Sequence, residues 1–398
     1  MSRIDDLIKE LAPKGVKFRT LAGLGRRNSG TAITAAKMKT IRSEGGPVRI
    51  FAGGQTIADV AEDAVPAKDI IRDPSIIVKS RGHVGFTYVE RPFTHKAELW
   101  SYTLTDPDVD QKFVYYYLLT KVDDLQEIAR ATSVKLPQLG VRDTDTLRIP
   151  VPPLEVQREI VRILDHFTEL EAELEAELEA RRRQYAFYRA RVIADIDADR
   201  VPLARLGRWT GGITPSKAES RYWDSGTIPW LASMDLSATG GREIRGRVTQ
   251  SAIDETSLRV VPAPTVAVVM RSNILRRVLP IGRINVDVAV NQDIRLLSPA
   301  EGVNADYVYL ALLAASEDIR AACVRTDGSM AAVDSGDFFA WEIPLPTPDE
   351  QLQIVGILDK FDALVNDLSD GLPAELNARR KQYEYYRDKL LTFEEAVA

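Results

Sequence analysis

The chain has 398 residues, 45% of them hydrophobic and 28% charged, with a formal net charge of −6. That length predicts two or three domains at roughly 150 residues each and excludes a single small module. No stretch approaches the roughly 20 apolar residues that span a bilayer, and the N-terminal MSRIDDLIKELAPKG lacks the apolar core of a signal peptide, so a cytoplasmic protein is expected. One cysteine, Cys323, and three histidines, His83, His95 and His166, cannot build a disulfide framework or a zinc cluster.

The charge is uneven: +4 over residues 1–150, −4 over 151–200, 0 over 201–340 and −6 over 341–398. The acid sits in two short segments. The two longer segments remain able to bind a polyanion.

In chain order, VKFRTLAGLG at residue 16 starts a first globular head, and Gly23, Gly25 and Asn28 read as a turn there because Asn28 stands where a dinucleotide fingerprint needs glycine. Lys37, Lys39 and Arg42 form a basic stretch suited to phosphate, and Gly45–46 and Gly53–54 mark turns. SIIVKS at 75–80 reads as a buried strand. Lys79, Ser80, Arg81 and His83 follow it as DNA-contact candidates, with Gly82 and Gly85 allowing close approach of backbone to phosphate. Residues 111–130 carry helix-period apolar positions, and the two prolines of IPVP at 149–152 impose an extended exit from the head. From about residue 154 to 194 there is neither Gly nor Pro, which predicts one long helix with an apolar stripe at Ile160, Ile163, Leu164 and Phe167. Inside it LEAE, LEAE and LEAR at 170–181 place Leu170, Leu174 and Leu178 one turn apart, with a Glu-rich solvated face.

A second head begins with VPLARLGRWT at 201 and has Gly-rich turns at 211–212 and 240–241. Ser216 and Lys217 are DNA-contact candidates, as are Ser233 and Asp235, whereas Trp223 and Trp230 read as core aromatics. TVAVVMRS at 265–272 reads as a buried strand followed by Arg271, Ser272, Asn273, Arg276 and Arg277, a cluster of side chains able to read guanine or adenine edges. Residues 304–323 predict a helix capped by Asn304 and Asp306, with Cys323 as a core thiol. The last helical segment is interrupted by Gly371 and Pro373 near its centre.

The chain repeats itself. IPVPPLEVQREIVRILDHF at 149–167 aligns without a gap on IPLPTPDEQLQIVGILDKF at 343–361, FVYYYLL at 113–119 on YVYLALL at 307–313, and RRRQYAFYR at 181–189 on RRKQYEYYR at 379–387. The middles of the two heads share little. Matching ends with unlike middles suggest two heads of one fold given different specificities.

These duplicated segments resemble the specificity subunits of type I restriction–modification systems, over essentially the whole chain. The resemblance rests on the IPxP start of each helix, ILDxF, RRxQYxxYR and the second spacer LVNDLSDGLPAELNARRKQYEYYRDKLLTF. It implies an α+β fold in which two target-recognition domains, 1–148 and 201–342, alternate with two helical spacers, 149–200 and 343–398, that pair as an antiparallel coiled coil in an internal pseudo-twofold repeat. It also implies that each head reads half of a bipartite, asymmetric DNA target and that the helices dock methyltransferase and restriction subunits. Tyr185, Tyr188, Tyr383 and Tyr386 lie along helix faces suited to such packing or docking. No cofactor is expected on this chain; S-adenosylmethionine belongs to the partner methyltransferase subunit. The LEAE run departs from exact twofold equivalence, because the second copy carries four more residues.

No GxxxxGK[ST] loop, HExxH or amino-methyltransferase loop is present, so the chain reads as non-catalytic. The alternatives are a coiled-coil interaction or adaptor protein and a stand-alone DNA-binding regulator.

Overall fold

A computed structural model describes residues 3–54, 56–132, 136–366 and 371–396. The chain divides into two compact units, Met1–Leu174 with Leu376–Ala398, and Glu175–Glu375.

In the first unit the strands are β1 (Lys17–Thr20), β2 (Gly25–Ser29), β3 (Val48–Phe51), β4 (Ile57–Val60), β5 (Ser75–Lys79), β6 (Gly85–Val89), β7 (Phe93–His95), β8 (Trp100–Leu104) and β9 (Arg148–Val151). They form an antiparallel sheet of order β2-β8-β5-β6, a smaller sheet of order β4-β3-β7 whose β3–β7 pair is parallel, and the pair β1–β9. The second unit contains β10 (Arg200–Pro202), β11 (Gly207–Gly211), β12 (Ile228–Leu231), β13 (Gly246–Val248), β14 (Thr265–Val269), β15 (Ile281–Ile284), β16 (Ala289–Val290), β17 (Ile294–Pro299), β18 (Val324–Arg325), β19 (Ala332–Val333) and β20 (Glu342–Pro344). Its sheets run β11-β17-β14-β15 and β13-β12-β16, with β12–β16 parallel and β10–β20 paired. Strand for strand the two heads share one topology, although their middles are unlike in sequence. The expected strands are β5 and β14, the central strands of their sheets, with Ile76, Ile77, Val78, Val266, Ala267 and Val268 fully buried. The IPxP segments are β9 and β20. Each pairs with the first strand of its own head, so start and exit of a head are tied together.

The predicted long helix spans Leu154–Ala194 without a break. Ile160 and Leu164 are buried in the core of the first unit, while Tyr185, Ile193, Val355 and Leu358 belong to the core of the second. Within the first unit the helix runs antiparallel to Gly371–Leu390: Phe167 stacks on Tyr386 with centroids 5.7 Å apart, and Glu171 accepts from Arg380 Nε at 2.6 Å. Leu170 and Leu174 are half-buried and Leu178 buried, and the intervening glutamates are exposed except Glu171. The C-terminal segment forms helices Pro348–Asn366 and Gly371–Leu390, and residues 367–370 lie outside the described residues. Gly371, at φ +70°, and Pro373 lie in the first turn of the helix Gly371–Leu390; proline suits a first turn, where its missing N–H has no partner to lose.

Two expectations are corrected. Residues 111–130 and 304–323 are each two helices, Gln111–Leu119 with Val122–Thr132, and Ala305–Ala314 with Ser316–Cys323. Asn304 caps its helix by accepting from Tyr307 N at 3.0 Å, but Asp306 pairs instead with Arg283 at 3.0 Å. Cys323 is buried, and burial pushes its thiol up.

The repeated motif residues fasten helix to head. Gln157 is fully buried: its Oε1 accepts from Asp110 N at 2.8 Å, and its Nε2 donates to the carbonyls of Asp108 (2.8 Å) and Pro152 (2.7 Å). Gln351 repeats this with Asn304 N (2.8 Å) and the carbonyls of Gly302 (3.0 Å) and Pro346 (2.8 Å). A buried amide with every partner supplied fixes the chain direction at each helix start. Asp165 of the first ILDxF holds Lys112 at 2.9 Å and Tyr116 Oη at 2.5 Å, whereas Asp359 of the second holds Arg283 at 2.9 Å. The acid is repeated while its cation moves from a helix in one head to a strand in the other.

Candidate DNA interface

In each head the central strand ends at a loop carrying the cations predicted from sequence. In the first head Lys79 is half-buried at the end of β5, and Arg81 and His83 are exposed. Ser80 is not a DNA contact. It is 1% exposed, and its hydroxyl donates to the Glu98 carbonyl at 3.0 Å. Gly82 adopts φ +73°, a conformation only glycine takes freely, but its N–H donates to the Pro137 carbonyl at 2.9 Å and is not open to a phosphate. A Cβ on Gly85 would meet open space. Lys37 and Lys39 are exposed on the helix Ala35–Thr40, whose Met38 is buried beneath them, and Arg42 is exposed just beyond. Lys37 and Lys39 form no ion pair among the described residues. Gly23 lies in the tight turn Leu21–Leu24, whereas Gly25 and Asn28 belong to β2, where Asn28 donates to Thr103 Oγ1 at 2.8 Å.

In the second head Arg271, Asn273, Arg276 and Arg277 are exposed after β14. Arg271 donates from Nε to Asp293 Oδ1 at 2.7 Å, and Arg276 donates to the Gly328 carbonyl at 3.2 Å. Ser272 is half-buried and its hydroxyl caps the turn by accepting from Ile274 N, which leaves its O–H free to donate. Ser216 and Lys217 are exposed. Trp223 and Trp230 are core aromatics, packed edge to face at 5.2 Å with their indole N–H groups donating to the carbonyls of Ser216 and Ile213. Asp235 is buried, 3.9 Å from Arg245, and therefore does not face a groove; Ser233 is half-buried, 3.5 Å from Asn291 Nδ2.

The sequence reading missed the loop between the parallel strand and the strand beside β5 or β14. In the second head it carries Asn291, Gln292 and Asp293, with exposed Gln292 accepting from Thr214 Oγ1 at 2.9 Å. In the first head it carries Lys96 and Glu98, paired at 2.7 Å. No spacing links these residues to the cations they face; only the strand pairing brings them together.

The four tyrosines divide. Tyr185 is buried in the core of the second unit, with the Arg189 guanidinium 5.1 Å from its ring and burial pushing its hydroxyl up to about 12, and it also lines the groove beside Tyr188. Tyr383 and Tyr386 pack on Phe167. Tyr188 is 55% exposed and lines a groove of about 1010 Å³ with Val192, Ile357, Phe361 and Leu372.

No described helix is long and apolar enough to cross a membrane, and no cluster of metal-ligating side chains occurs among the described residues. The model of the type I restriction modification DNA specificity domain matches residues 13–180 and 201–378, one copy over each repeat. The chain belongs to that family. It is 39% identical over 291 residues to the type I restriction enzyme EcoR124I/EcoR124II specificity subunit of Escherichia coli, covering 71% of this chain and 70% of that one. It is 31% identical over 225 residues to the EcoprrI specificity subunit of the same organism, covering 52% and 53%. A solved chain from work on complex assembly and conformational transition of the type I R-M system shares the fold, with a TM-score of 0.63 at 15% identity over 95% of this chain and 98% of that one.

Proposed function

We propose that this chain is the sequence-specific DNA-binding subunit of a cytoplasmic type I restriction–modification complex, itself non-catalytic, with each head reading one half of a bipartite, asymmetric target. The observation that carries this reading is the pairing of one strand topology with different loop chemistry. The loop after the central strand offers Lys79, Arg81 and His83 in one head and Arg271, Asn273, Arg276 and Arg277 in the other. A fixed scaffold with interchangeable readers is what recognition of two unlike half-sites requires. The domain limits 1–148, 149–200, 201–342 and 343–398 go with it, as does a phosphate-positioning role for Lys37, Lys39, Arg42 and Lys217.

The apolar groove beside Tyr188 is the surface we assign to a methyltransferase subunit. Ile357 and Phe361 there are each more than half exposed, a cost in water that a partner helix removes. S-adenosylmethionine then resides on that partner, and the restriction subunit joins the assembly. A gel shift on duplexes carrying the host's mapped N6-methyladenine sites tests the reading. The chain alone is expected to bind weakly and in a salt-sensitive way, and selective binding is expected only with methyltransferase subunits. Selective binding by the chain alone would mark a stand-alone regulator, and none in either state would mark a protein-interaction module.

A further inference from the structure

Arg81 and Arg271 occupy the same place in the two heads. In β5, Ile77 is paired with Thr87 on one side and Ser101 on the other; in β14, Ala267 is paired with Gly282 and Leu296 in the same arrangement. Three residues beyond Ile77 and Ala267, the backbone makes the same bond in both heads. The Ser80 carbonyl accepts from Leu139 N at 2.9 Å and the Met270 carbonyl from Val333 N at 2.8 Å, and the next residue forms an isolated antiparallel bridge, Arg81 with Gln138 and Arg271 with Ala332. The acid facing each arginine is also equivalent, because Glu98 lies three residues before Ser101 and Asp293 three before Leu296. Asp293 accepts from Arg271 Nε. Glu98 is held below its usual range: burial pushes it up, but the bonded Lys96 ammonium, a backbone N–H and the field of Arg81 together lower it.

Both arginines are exposed at their outer ends. Among the described residues Arg271 is bonded only through Nε, leaving its terminal nitrogens to solvent, and Arg81 makes no side-chain bond. A side chain that distinguishes two half-sites must differ between the heads. One that is the same in type and register, with an acid at the same place in the facing loop, addresses what the half-sites share, and a planar guanidinium with its outer edge free suits a phosphate.

We propose that Arg81 and Arg271 are a duplicated phosphate clamp, one per head, each gripping a DNA backbone phosphate beside its half-site, with Asp293 as the positioning residue of Arg271. This rests on the DNA-reading function above, and it takes Arg81 and Arg271 out of the base-reading set.

The test uses the full chain assembled with its methyltransferase subunits and two duplexes: one carrying the mapped target and one with both half-sites scrambled. Wild-type discrimination between them is measured first, and its absence would sink the DNA-reading function rather than the clamp. Arg81→Gln and Arg271→Gln are each expected to weaken binding to both duplexes by about tenfold, preserve their affinity ratio and lower the salt slope by about 1. Arg81→Lys and Arg271→Lys should restore the slope. Asp293→Asn, which frees the arginine without removing its charge, should keep the slope while weakening both duplexes alike. Loss confined to the target duplex would make the arginine a base reader, and unchanged affinity in both glutamine variants that still assemble and melt like wild type would show that neither touches DNA.

Discussion

Replacing Gln157 by leucine keeps the volume of a fully buried side chain and removes all three of its hydrogen bonds. The Asp110 N–H and the carbonyls of Asp108 and Pro152 lose their partner. A buried polar group stripped of its partner costs about 1–3 kcal/mol. The Pro152 bond is wholly enclosed and the other two reach solvent in part, so the loss in the first unit is about 3 kcal/mol. For a unit of about 200 residues, that lowers Tm by about 6–12 °C. Gln351→Leu is the matched change in the second unit, where the Asn304 N–H and the carbonyls of Gly302 and Pro346 are stranded. Differential scanning calorimetry of the full chain reads both variants. Shifts below about 2 °C in both would refute the view that the repeated glutamine fastens each helix to its head.

Arg276→Ala should relax recognition in one half-site only, by about 1–3 kcal/mol if the side chain meets a base edge, as read by affinity on single-half-site mutants of the target. Equal weakening on every sequence would mark a phosphate contact instead. Deleting residues 174–177, one LEAE unit, shortens the helix by about 6 Å and rotates its C-terminal part by roughly 40°. DNA offers ~3.4 Å and about 34° per base pair. Heads gripping a groove tolerate stretch better than misrotation, so the same half-sites are expected with a non-specific spacer shorter by one base pair. Methylome sequencing of the deletion strain checks this, and unchanged spacing in an active mutant would end the idea that the helix measures DNA.

The architecture was legible because the chain states it twice. Ungapped repeats at 149–167 and 343–361 located both helix starts, and the proline pairs located the strands leaving each head. The identity of the two head topologies was not legible. Strand pairing tolerates any apolar residues facing the core, so Ile77 and Ala267 fill equivalent places with no sequence trace. The repeated glutamines and aspartates were visible as a pattern, but their role depends on loop carbonyls such as Asp108 and Gly302 that only the folded chain brings near. The site was read in part. Charge after a buried strand pointed to Arg81 and Arg271, but a run of cations does not reveal that Ser80 turns inward, that Ser272 is a cap, or that Asp293 and Glu98 arrive from a different loop. The tyrosines were legible as packing residues, since Tyr383 and Tyr386 pack on Phe167 of the other helix; helical spacing puts Tyr185 and Tyr188 near one another, while the packing around the helix decides that one is buried and the other exposed.

The central claim is that each head independently reads one half-site, and mapping N6-methyladenine in a host whose copy of this gene carries a foreign head tests it most directly. Residues 17–147 are replaced by the corresponding head of a related specificity subunit, with the helices and the second head untouched. The account predicts a methylated sequence in which one half changes and the other half is retained. A change in both halves, or in neither while methylation persists, would contradict it.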